Sequence, residues 1–154
     1  MPGAIPVASE GQLQWLVDRA AITDLFLAFA RAIDDKDQRA YTDCFAEDGV
    51  VALPHGRFEG RDAILNMRTP PARWATHHLQ AGHQILLNGD KATARVQMMA
   101  AHVFDAAVPG GNARAGGWYD AELTRTAAGW RLCSVVLTII WSTGEMMPTA
   151  KGTP

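Results

Sequence analysis

The amino-acid sequence predicts an α+β fold, in which helices come first along the chain and long antiparallel strands follow. Residues 12–33 carry the periodicity of an amphipathic helix, and from Trp74 onward the pattern changes to long strands divided by turn signals. Because the helices precede the strands instead of alternating with them, the pattern argues against a doubly wound α/β fold. The chain of 154 residues is long enough for one domain with a buried core.

The first half of the chain predicts three helices. Within residues 12–33, apolar side chains form a stripe along one face, and Asp18 lies off that stripe. Ser9 is a suitable start signal, and Asp37 can cap a second short helix that carries Tyr41. The segment "RDAILNM" predicts a third helix. The residues of the stripe are Leu13, Leu16, Ala20, Leu25, Phe29 and Ile33.

The rest of the chain reads as strands joined by turns. "VVAL" predicts a strand, and "PHGRFEG" predicts a turn followed by a short return strand. "HQILLNGDKATARVQMMAAHVF" is typical of two strands around an Asn-Gly-Asp hairpin turn, and "GGWYDAELTRTAAGWRLCSVVLTIIW" of a second hairpin turning at "TAAG". The segment "DAAVPGGNARAG" between the two hairpins predicts a loop that is long enough to cover another part of the fold.

Composition and charge argue against several classes of function. The chain is 48% apolar and 19% charged, with a formal net charge of −2 and no basic run, so we expect no nucleic-acid partner. The N-terminus lacks the basic and apolar regions of a signal peptide, and no apolar segment is long enough to span a bilayer. We therefore expect a cytoplasmic protein without membrane contact.

The expected organisation is a flexible N-terminus at residues 1–11, a single domain over residues 12–143 and a C-terminal tail at residues 144–154. Cys44 and Cys133 are far apart in apolar segments, which favours buried, reduced thiols. Without a CxxC spacing, a structural zinc site has no support.

Three of the five histidines fall within "ATHHLQAGH", residues 75–83. Neighbouring residues on a strand point to opposite faces, so His77 and His78 cannot both face one pocket, which disfavours a metal pair. His83 follows Gly82, a candidate bulge, and its role stays open. A proton-transfer histidine needs a partner that fixes its tautomer, and the rest of the sequence has to supply it.

Asp34 ends the amphipathic helix after a run of apolar residues and is a candidate functional carboxylate. A carboxylate at a helix C-terminus opposes the helix macrodipole, so the position is unfavourable for the helix itself. The alternative is a solvated acid at the helix end, like the neighbouring Asp35.

Alternation along the later strands selects further candidates. In "ARVQMMAAHVF", Met98 and His102 share the apolar face, and the opposite face carries the residues that prefer water. His102 is therefore either a structural histidine or a hydrogen-bond donor in a pocket. Tyr119 alternates with acidic neighbours and is predicted to point inward. Aromatic and methionine side chains at such spacings are more often plain core, and the candidates for lining a pocket are Phe29, Trp74, Met98, Trp118 and Trp141.

The order of elements, with the segments "RAAITDLFLAFARAIDDKDQRAYTDCFAEDGVV", "GRFEGRDAI", "THHL" and "GGWYDAELTRTAAGWRL", resembles the SnoaL-like branch of the NTF2-like superfamily. The resemblance covers roughly residues 12–142. It implies a cone, in which a strongly curved antiparallel sheet wraps around about three N-terminal helices and leaves an apolar pocket at its open end. Members include scytalone dehydratase, hexachlorocyclohexane dehydrochlorinase, bile acid 7α-dehydratase, ketosteroid isomerase and polyketide cyclases.

The resemblance also implies a site. In the dehydratase members, an aspartate ending the first helix pairs with a histidine on the strand after the third helix, which corresponds here to Asp34 and His78. A further histidine on a later strand corresponds to His102. Dehydratases often carry a tyrosine just before the aspartate, where this chain has Ile33, so a tyrosine-assisted leaving group has to come from elsewhere. The resembling enzymes work without a metal, and no HxH or HxxxH pair supports a metal site here.

The expected function is that of a cofactor-independent lyase or isomerase that removes a C–H proton from a small hydrophobic cyclic molecule, most simply as a dehydratase. The alternatives are a polyketide cyclase, a non-catalytic small-molecule-binding module, and the small accessory subunit of a ring-hydroxylating dioxygenase. The segment "LCSVVLTIIW" is apolar on both alternations, so both faces of the last strand should be covered. This predicts a homodimer or higher homo-oligomer formed through the sheet.

Overall fold

The fold begins with one long helix, α1, Glu10–Asp35, in a computed structural model that describes residues 9–67, 74–104 and 112–144. Its start is a capping box, because the Ser9 side chain accepts from the Gln12 backbone N–H and the Gln12 side chain accepts from the Ser9 backbone N–H. Helix α2, Gln38–Asp43, is capped by Asp37 as predicted, and α3 spans Arg61–Leu65. Among the described residues no helix is both long and apolar enough to cross a membrane.

Six strands form one curved, open sheet in the order β2-β1-β6-β5-β4-β3. The α+β class is confirmed. Every described pairing is antiparallel except that of β1 with β6, which is parallel. A parallel pair needs a long connection between its strands, and here the other elements of the fold lie between β1 and β6 in the chain. The strands are β1 Phe45–Leu53, β2 Gly56–Glu59, β3 Ala75–Asn88, β4 Lys91–Val103, β5 Asn112–Thr126 and β6 Gly129–Thr143.

Both predicted hairpins are present. The first turns at Gly89, whose φ of 58° is readily adopted only by glycine, and the second turns between Thr126 and Gly129. The predicted loop between the hairpins is shorter than expected, since β5 already begins at Asn112, and residues 105–111 lie outside the described part. The predicted terminal segments also fall largely outside it, although α1 begins at Glu10.

The buried face of α1 differs from the predicted stripe. Leu13 and Leu16 are 51% and 53% exposed, whereas Asp18 is 5% exposed. The face that packs into the concave side of the sheet is rotated toward Asp18, because Arg125 on β5 neutralises that carboxylate. Ala20 is exposed as well, so the predicted stripe was wrong over the first three turns of the helix. The main buried side chains of α1 are Ile22, Phe26, Phe29, Ala30 and Ala32.

Candidate active site

Asp34 and His78 meet where the C-terminal end of α1 packs against β3. The His78 Nδ1 atom lies 2.7 Å from Asp34 Oδ1, and the His78 backbone N–H donates to Asp34 Oδ2 at 2.9 Å. The His78 side chain is 7% exposed and that of Asp34 is 23% exposed. One carboxylate is therefore bound at both oxygens by one residue, which fixes its orientation relative to the imidazole.

The electrostatics of the pair keep the carboxylate charged. Burial raises the pKa of Asp34, but the hydrogen bonds from the ring and the backbone of His78 together lower it by more. The pKa of Asp34 therefore lies below its ordinary value. A charged acceptor at Nδ1 selects the tautomer that carries the proton there. The Nε2 atom of His78 is then the ring nitrogen with a lone pair, available to a molecule in the cavity that His78 lines.

The ammonium group of Lys36 offsets the unfavourable negative charge of Asp34 at the C-terminal end of α1. It takes a left-handed conformation with φ of 61°, and its Nζ donates to the Asp34 and Ile33 carbonyls at 3.3 Å each and to the Thr76 hydroxyl on β3. A cation at a helix C-terminus is favourable for the macrodipole. Burial lowers the pKa of Lys36, and the nearby Asp34 and Asp35 oppose that shift. Lys36 therefore ties the end of α1 to the strand that carries His78.

The pair lies beside a mostly apolar cavity of about 430 Å³, within the usual size of a small-molecule site. His78 lines this cavity, and Asp34 lies behind His78. Of the other predicted residues, His102, Tyr119, Phe29 and Met98 line the same cavity. Further apolar lining comes from Ile33, Leu53, Met67, Leu137 and Ile139.

His102 faces the cavity from β4, as its alternation predicts. It is 7% exposed, and its ring centroid lies 5.7 Å from that of His78. In the register of the two strands, Thr76 is opposite His102 and His78 is opposite Ala100, so the two histidines are diagonal neighbours. Two imidazoles thus face the same apolar space, and the contact to Asp34 is made by His78.

Three predicted lining residues lie elsewhere, and these predictions were wrong. Trp118 points to the outer face of the sheet, where its Nε1 donates to Asp120 at 3.0 Å, because it alternates with Tyr119. Trp141 is 41% exposed and packs over Gly116. Trp74 is buried against Phe104, with ring centroids 4.5 Å apart. None of the three tryptophans lines the cavity.

Among the lining residues that the sequence analysis did not identify, two have aromatic rings, Tyr41 and His55. Tyr41 of α2 is 2% exposed, and its ring centroid lies 4.8 Å from that of Phe29. The available signal was a phenol on the apolar side of a short helix. His55, in the turn between β1 and β2, is exposed as its turn sequence indicates, yet it also lines the cavity.

The geometry of β3 distinguishes His78 from the two other histidines of this strand, His77 and His83. His77 is exposed on the opposite side of β3. A bulge at Gly82, with φ of 60°, precedes His83, whose ring packs against Phe26 at a centroid distance of 5.8 Å. Burial lowers the pKa of His83. Among these three histidines, His78 is the one in contact with Asp34.

The described residues also bear on metal binding and thiol chemistry. Within the described ranges, no group of three His, Cys, Asp or Glu side chains is arranged to hold a metal ion. Cys44 is buried, its Sγ donates to the Ala40 carbonyl at 3.4 Å, and burial raises the pKa of its thiol to about 11. Cys133 is half-buried, and burial raises its pKa as well. Both cysteines are free thiols.

Comparison with known proteins assigns the family. Residues 14–136 match the SnoaL-like domain family. The chain belongs to this family. No protein of curated function is a significant match to this SnoaL-like chain in sequence.

Solved structures show the same fold. The Kfla4162 protein from Kribbella flavida is 27% identical, with a TM-score of 0.70 over 84% of this chain and 95% of that one. A candidate scytalone dehydratase from Novosphingobium aromaticivorans is 20% identical, with a TM-score of 0.72 over 90% and 96%. The hexachlorocyclohexane dehydrochlorinase LinA-type3 from Novosphingobium barchaimii is 17% identical, with a TM-score of 0.72 over 90% and 99%. At such identities the last two show the fold alone.

Proposed function

We propose that this SnoaL-like protein is a lyase or isomerase that removes a C–H proton from a small hydrophobic cyclic molecule, with His78 as the general base. Dehydration is the reaction that we favour. The observation that carries the proposal is the contact of His78 with Asp34 through both carboxylate oxygens, at 2.7 and 2.9 Å, beside an apolar cavity. This chemistry needs no cofactor.

In the proposed reaction, Nε2 of His78 takes a proton from the carbon next to an electron-withdrawing group. Asp34 stabilises the imidazolium that forms, since its carboxylate is charged and already bound to Nδ1. The electron pair of the broken C–H bond forms the new double bond as a hydroxyl group leaves. That hydroxyl takes the proton from His78 and departs as water, so the base is restored. A positioned base of this kind is worth about 10²–10⁴-fold in rate.

His102 has a complementary role in this proposal. Its imidazole faces the same cavity as His78, with a centroid separation of 5.7 Å, which is compatible with contact to the leaving hydroxyl while His78 acts at the neighbouring carbon. Low water content in an apolar cavity strengthens such polar contacts. Isomerisation differs only in that His78 returns the proton to another carbon.

The family likeness supports a related lyase or isomerase. The named activities of two similar structures, a dehydrochlorinase and a candidate dehydratase, are both eliminations. Ring closure by a polyketide cyclase would start with the same deprotonation. A pure binding module or an accessory subunit has no use for a charged carboxylate that orients a cavity histidine, so the Asp34–His78 geometry favours catalysis.

The proposal is tested with cyclic β-hydroxy ketones and cyclic alcohols as a substrate panel. Water loss is followed by absorbance of the conjugated product, and C–H exchange by NMR in D₂O. We expect His78→Gln to lower both rates by about 10²-fold or more, because the base is removed. His77→Gln is the matched control on the exposed side of the same strand, and we expect its rates to remain close to those of the unmodified protein. Equal rates for both variants would refute a base at His78.

A further inference from the structure

The last strand of the sheet carries one extra residue near its end. In the register of β5 with β6, Gly117 is opposite Ile139 and Gly116 is opposite Trp141, so Ile140 is the additional residue of β6 between them. This is a β-bulge, and one extra residue moves every later side chain of the strand to the other face of the sheet. The end of β6 therefore departs from strict alternation.

The bulge decides which of two side chains lies in the cavity wall. Leu137 and Ile139 line the cavity, and strict alternation would bring Trp141 to the same side, opposite Ala115. Instead Ser142 is opposite Ala115 and lines the cavity, and Trp141 is 41% exposed on the outer face. A small side chain thus occupies the position where an indole would otherwise lie.

Two glycines of β5 accommodate this arrangement. A Cβ atom at Gly117 would collide with the carbonyl oxygen of Thr138, so only a residue without a side chain lets β6 approach this closely at the bulge. A Cβ atom at Gly116 would collide with the ring of Trp141, which packs directly on the backbone there. Gly117 therefore permits the bulge, and Gly116 provides the surface on which the indole lies.

The position held open by the bulge belongs to a row of cavity residues that begins at His78. In the register of the sheet, His78 of β3, Ala100 of β4, Ala115 of β5 and Ser142 of β6 are opposite one another in turn, and all four line the cavity. Neighbouring strands are about 4.8 Å apart, so this row extends roughly 14 Å across the sheet. Beyond the imidazole, the row consists of small side chains.

An indole in this row would restrict the cavity strongly. The cavity volume of about 430 Å³ lies toward the lower end of the usual range for small-molecule sites. Tryptophan has the largest side chain, and in the position of Ser142 it would cover the row beside Ala115. The face on which Trp141 lies therefore sets how large a molecule can lie next to His78.

We propose that Gly116, Gly117 and the bulge at Ile140 determine the substrate size of this cavity. By keeping Trp141 outside, they leave the row beside His78 open for an apolar molecule of two fused rings. This inference goes beyond the proposed reaction, because it concerns which molecules enter the cavity and holds equally for a protein that only binds them.

Binding of 1-naphthol tests this inference without turnover, with phenol as the matched probe that lacks the second ring. We expect the unmodified protein to bind 1-naphthol about tenfold more tightly than phenol, because the second ring buries additional apolar area along the row. Titration calorimetry measures both affinities. No step of this test uses His78 as a base, so its result is independent of the proposed function.

Gly117→Ala should reduce the preference for 1-naphthol to about threefold or less. The added methyl group does not fit at the bulge, so β6 returns to regular pairing and Trp141 turns inward. A nuclear Overhauser contact between the Trp141 indole and the Ala115 methyl group reports this change directly. Adding Trp141→Ala to Gly117→Ala should restore the preference, because a methyl group then turns inward in place of the indole.

An exchange of two neighbouring residues tests the same claim with both glycines intact. Trp141→Ser together with Ser142→Trp places an indole in the cavity wall without changing the composition, and it should also reduce the preference to about threefold or less. Trp141→Ser alone is the matched control and should keep the full preference, because the indole lies outside the cavity.

Three results would overturn the proposal. The first is an unmodified protein that binds 1-naphthol no more tightly than phenol. The second is a folded Gly117→Ala protein that keeps the full preference, or that does not regain it when Trp141→Ala is added. The third is an exchange variant with the full preference, and this result decides the matter if Gly117→Ala does not fold.

Discussion

At the scale of single residues, the notable feature is that the position of Asp34 is stabilised by its neighbours. The left-handed Lys36 places its ammonium group over the last carbonyls of α1 and against Thr76. The same link holds the helix end against the strand of His78. In the proposed reaction, Lys36 is thus a positioning residue that acts through Asp34.

We predict that Lys36→Gly lowers kcat by roughly tenfold with little change in KM, because a small displacement of Asp34 disturbs the orientation of His78. Glycine suits the left-handed conformation, so thermal stability should be kept. Thr76→Val removes the strand side of the same link and should give the same change in kcat. Unaltered kcat in both variants would show that the link has no catalytic effect.

Strand alternation predicted individual residues well where it was applied consistently. It placed Met98, His102 and Tyr119 on the inner face, and all three line the cavity. The same alternation puts Trp118 on the outer face, beside Arg95 and Asp120. The prediction that Trp118 lines the cavity was wrong because it rested on aromatic character alone. Nothing local in the sequence indicates which inward residues line an open cavity and which fill the core, because that depends on the curvature of the sheet.

At the scale of elements, a buried ion pair fixes the first half of α1 to the second hairpin. Arg125 donates to both oxygens of Asp18 at 2.7 Å, and Trp130 donates to Asp18 at 3.2 Å. The hydrogen bonds from Arg125 lower the pKa of Asp18 to about 2, against the effect of burial. The ion pair therefore stabilises the folded protein fully at pH values above 3.8, the ordinary pKa of the aspartate side chain. This stabilisation is lost as the pH falls toward 2.

We predict that Asp18→Ala lowers the free energy of unfolding by about 2 kcal/mol, because it leaves Arg125 and Trp130 without their buried acceptor. Asp90→Ala is the matched control: Asp90 pairs with the same arginine at 2.8 Å, but its side chain is 78% exposed. Its loss should cost about 0.5 kcal/mol or less. Urea unfolding measures both, and equal losses would contradict a special role for the buried carboxylate.

The sequence predicted the existence and order of these elements but not the rotation of α1. Capping at Ser9 and Asp37 and the turn at Gly89 are local signals, and all three are confirmed. The buried position of Asp18 depends on Arg125, which lies 107 positions further along the chain. A periodicity argument treats an aspartate as solvent-facing, so it could not anticipate this partner.

At the scale of the whole molecule, the outer face of the sheet is the feature that the single chain does not explain. Val136 is 43% exposed and Leu86 is 74% exposed, and both border a shallow groove on this face. The charged pair beside them, Arg95 with Asp120 at 2.7 Å, is internally neutralised. Exposed apolar side chains on a sheet face suit association with a second copy of the chain, and we propose a homo-oligomer formed through this face.

We predict that Val136→Lys shifts the protein toward the monomer, because it places a charge in the proposed interface. The monomer should tolerate it, since the register places residue 136 opposite Asp120. Leu27→Lys, at a 51% exposed position of α1, is the control and should leave the oligomer intact. Sedimentation velocity gives the mass of each. A monomeric unmodified protein would refute the proposed interface.

The Asp34–His78 pair is itself a whole-molecule property, because 44 positions separate the two residues. Periodicity and alternation mark each residue as a candidate, but only the resemblance to the SnoaL-like family paired them. The contact forms because the end of α1 packs against β3, which no local pattern encodes. The tyrosine of α2 was missed for the same reason.

The role of Asp34 in orienting the His78 base is tested most directly by the rate of substrate C–H exchange in Asp34→Asn compared with Asp35→Asn. Asp35 is the adjacent acid, with a 61% exposed side chain paired to Arg31 at 3.3 Å, so the two variants make the same chemical change one residue apart. We expect a loss of about 10²-fold or more for Asp34→Asn and a rate near that of the unmodified protein for Asp35→Asn. A folded Asp34→Asn protein with undiminished exchange would contradict this role of Asp34.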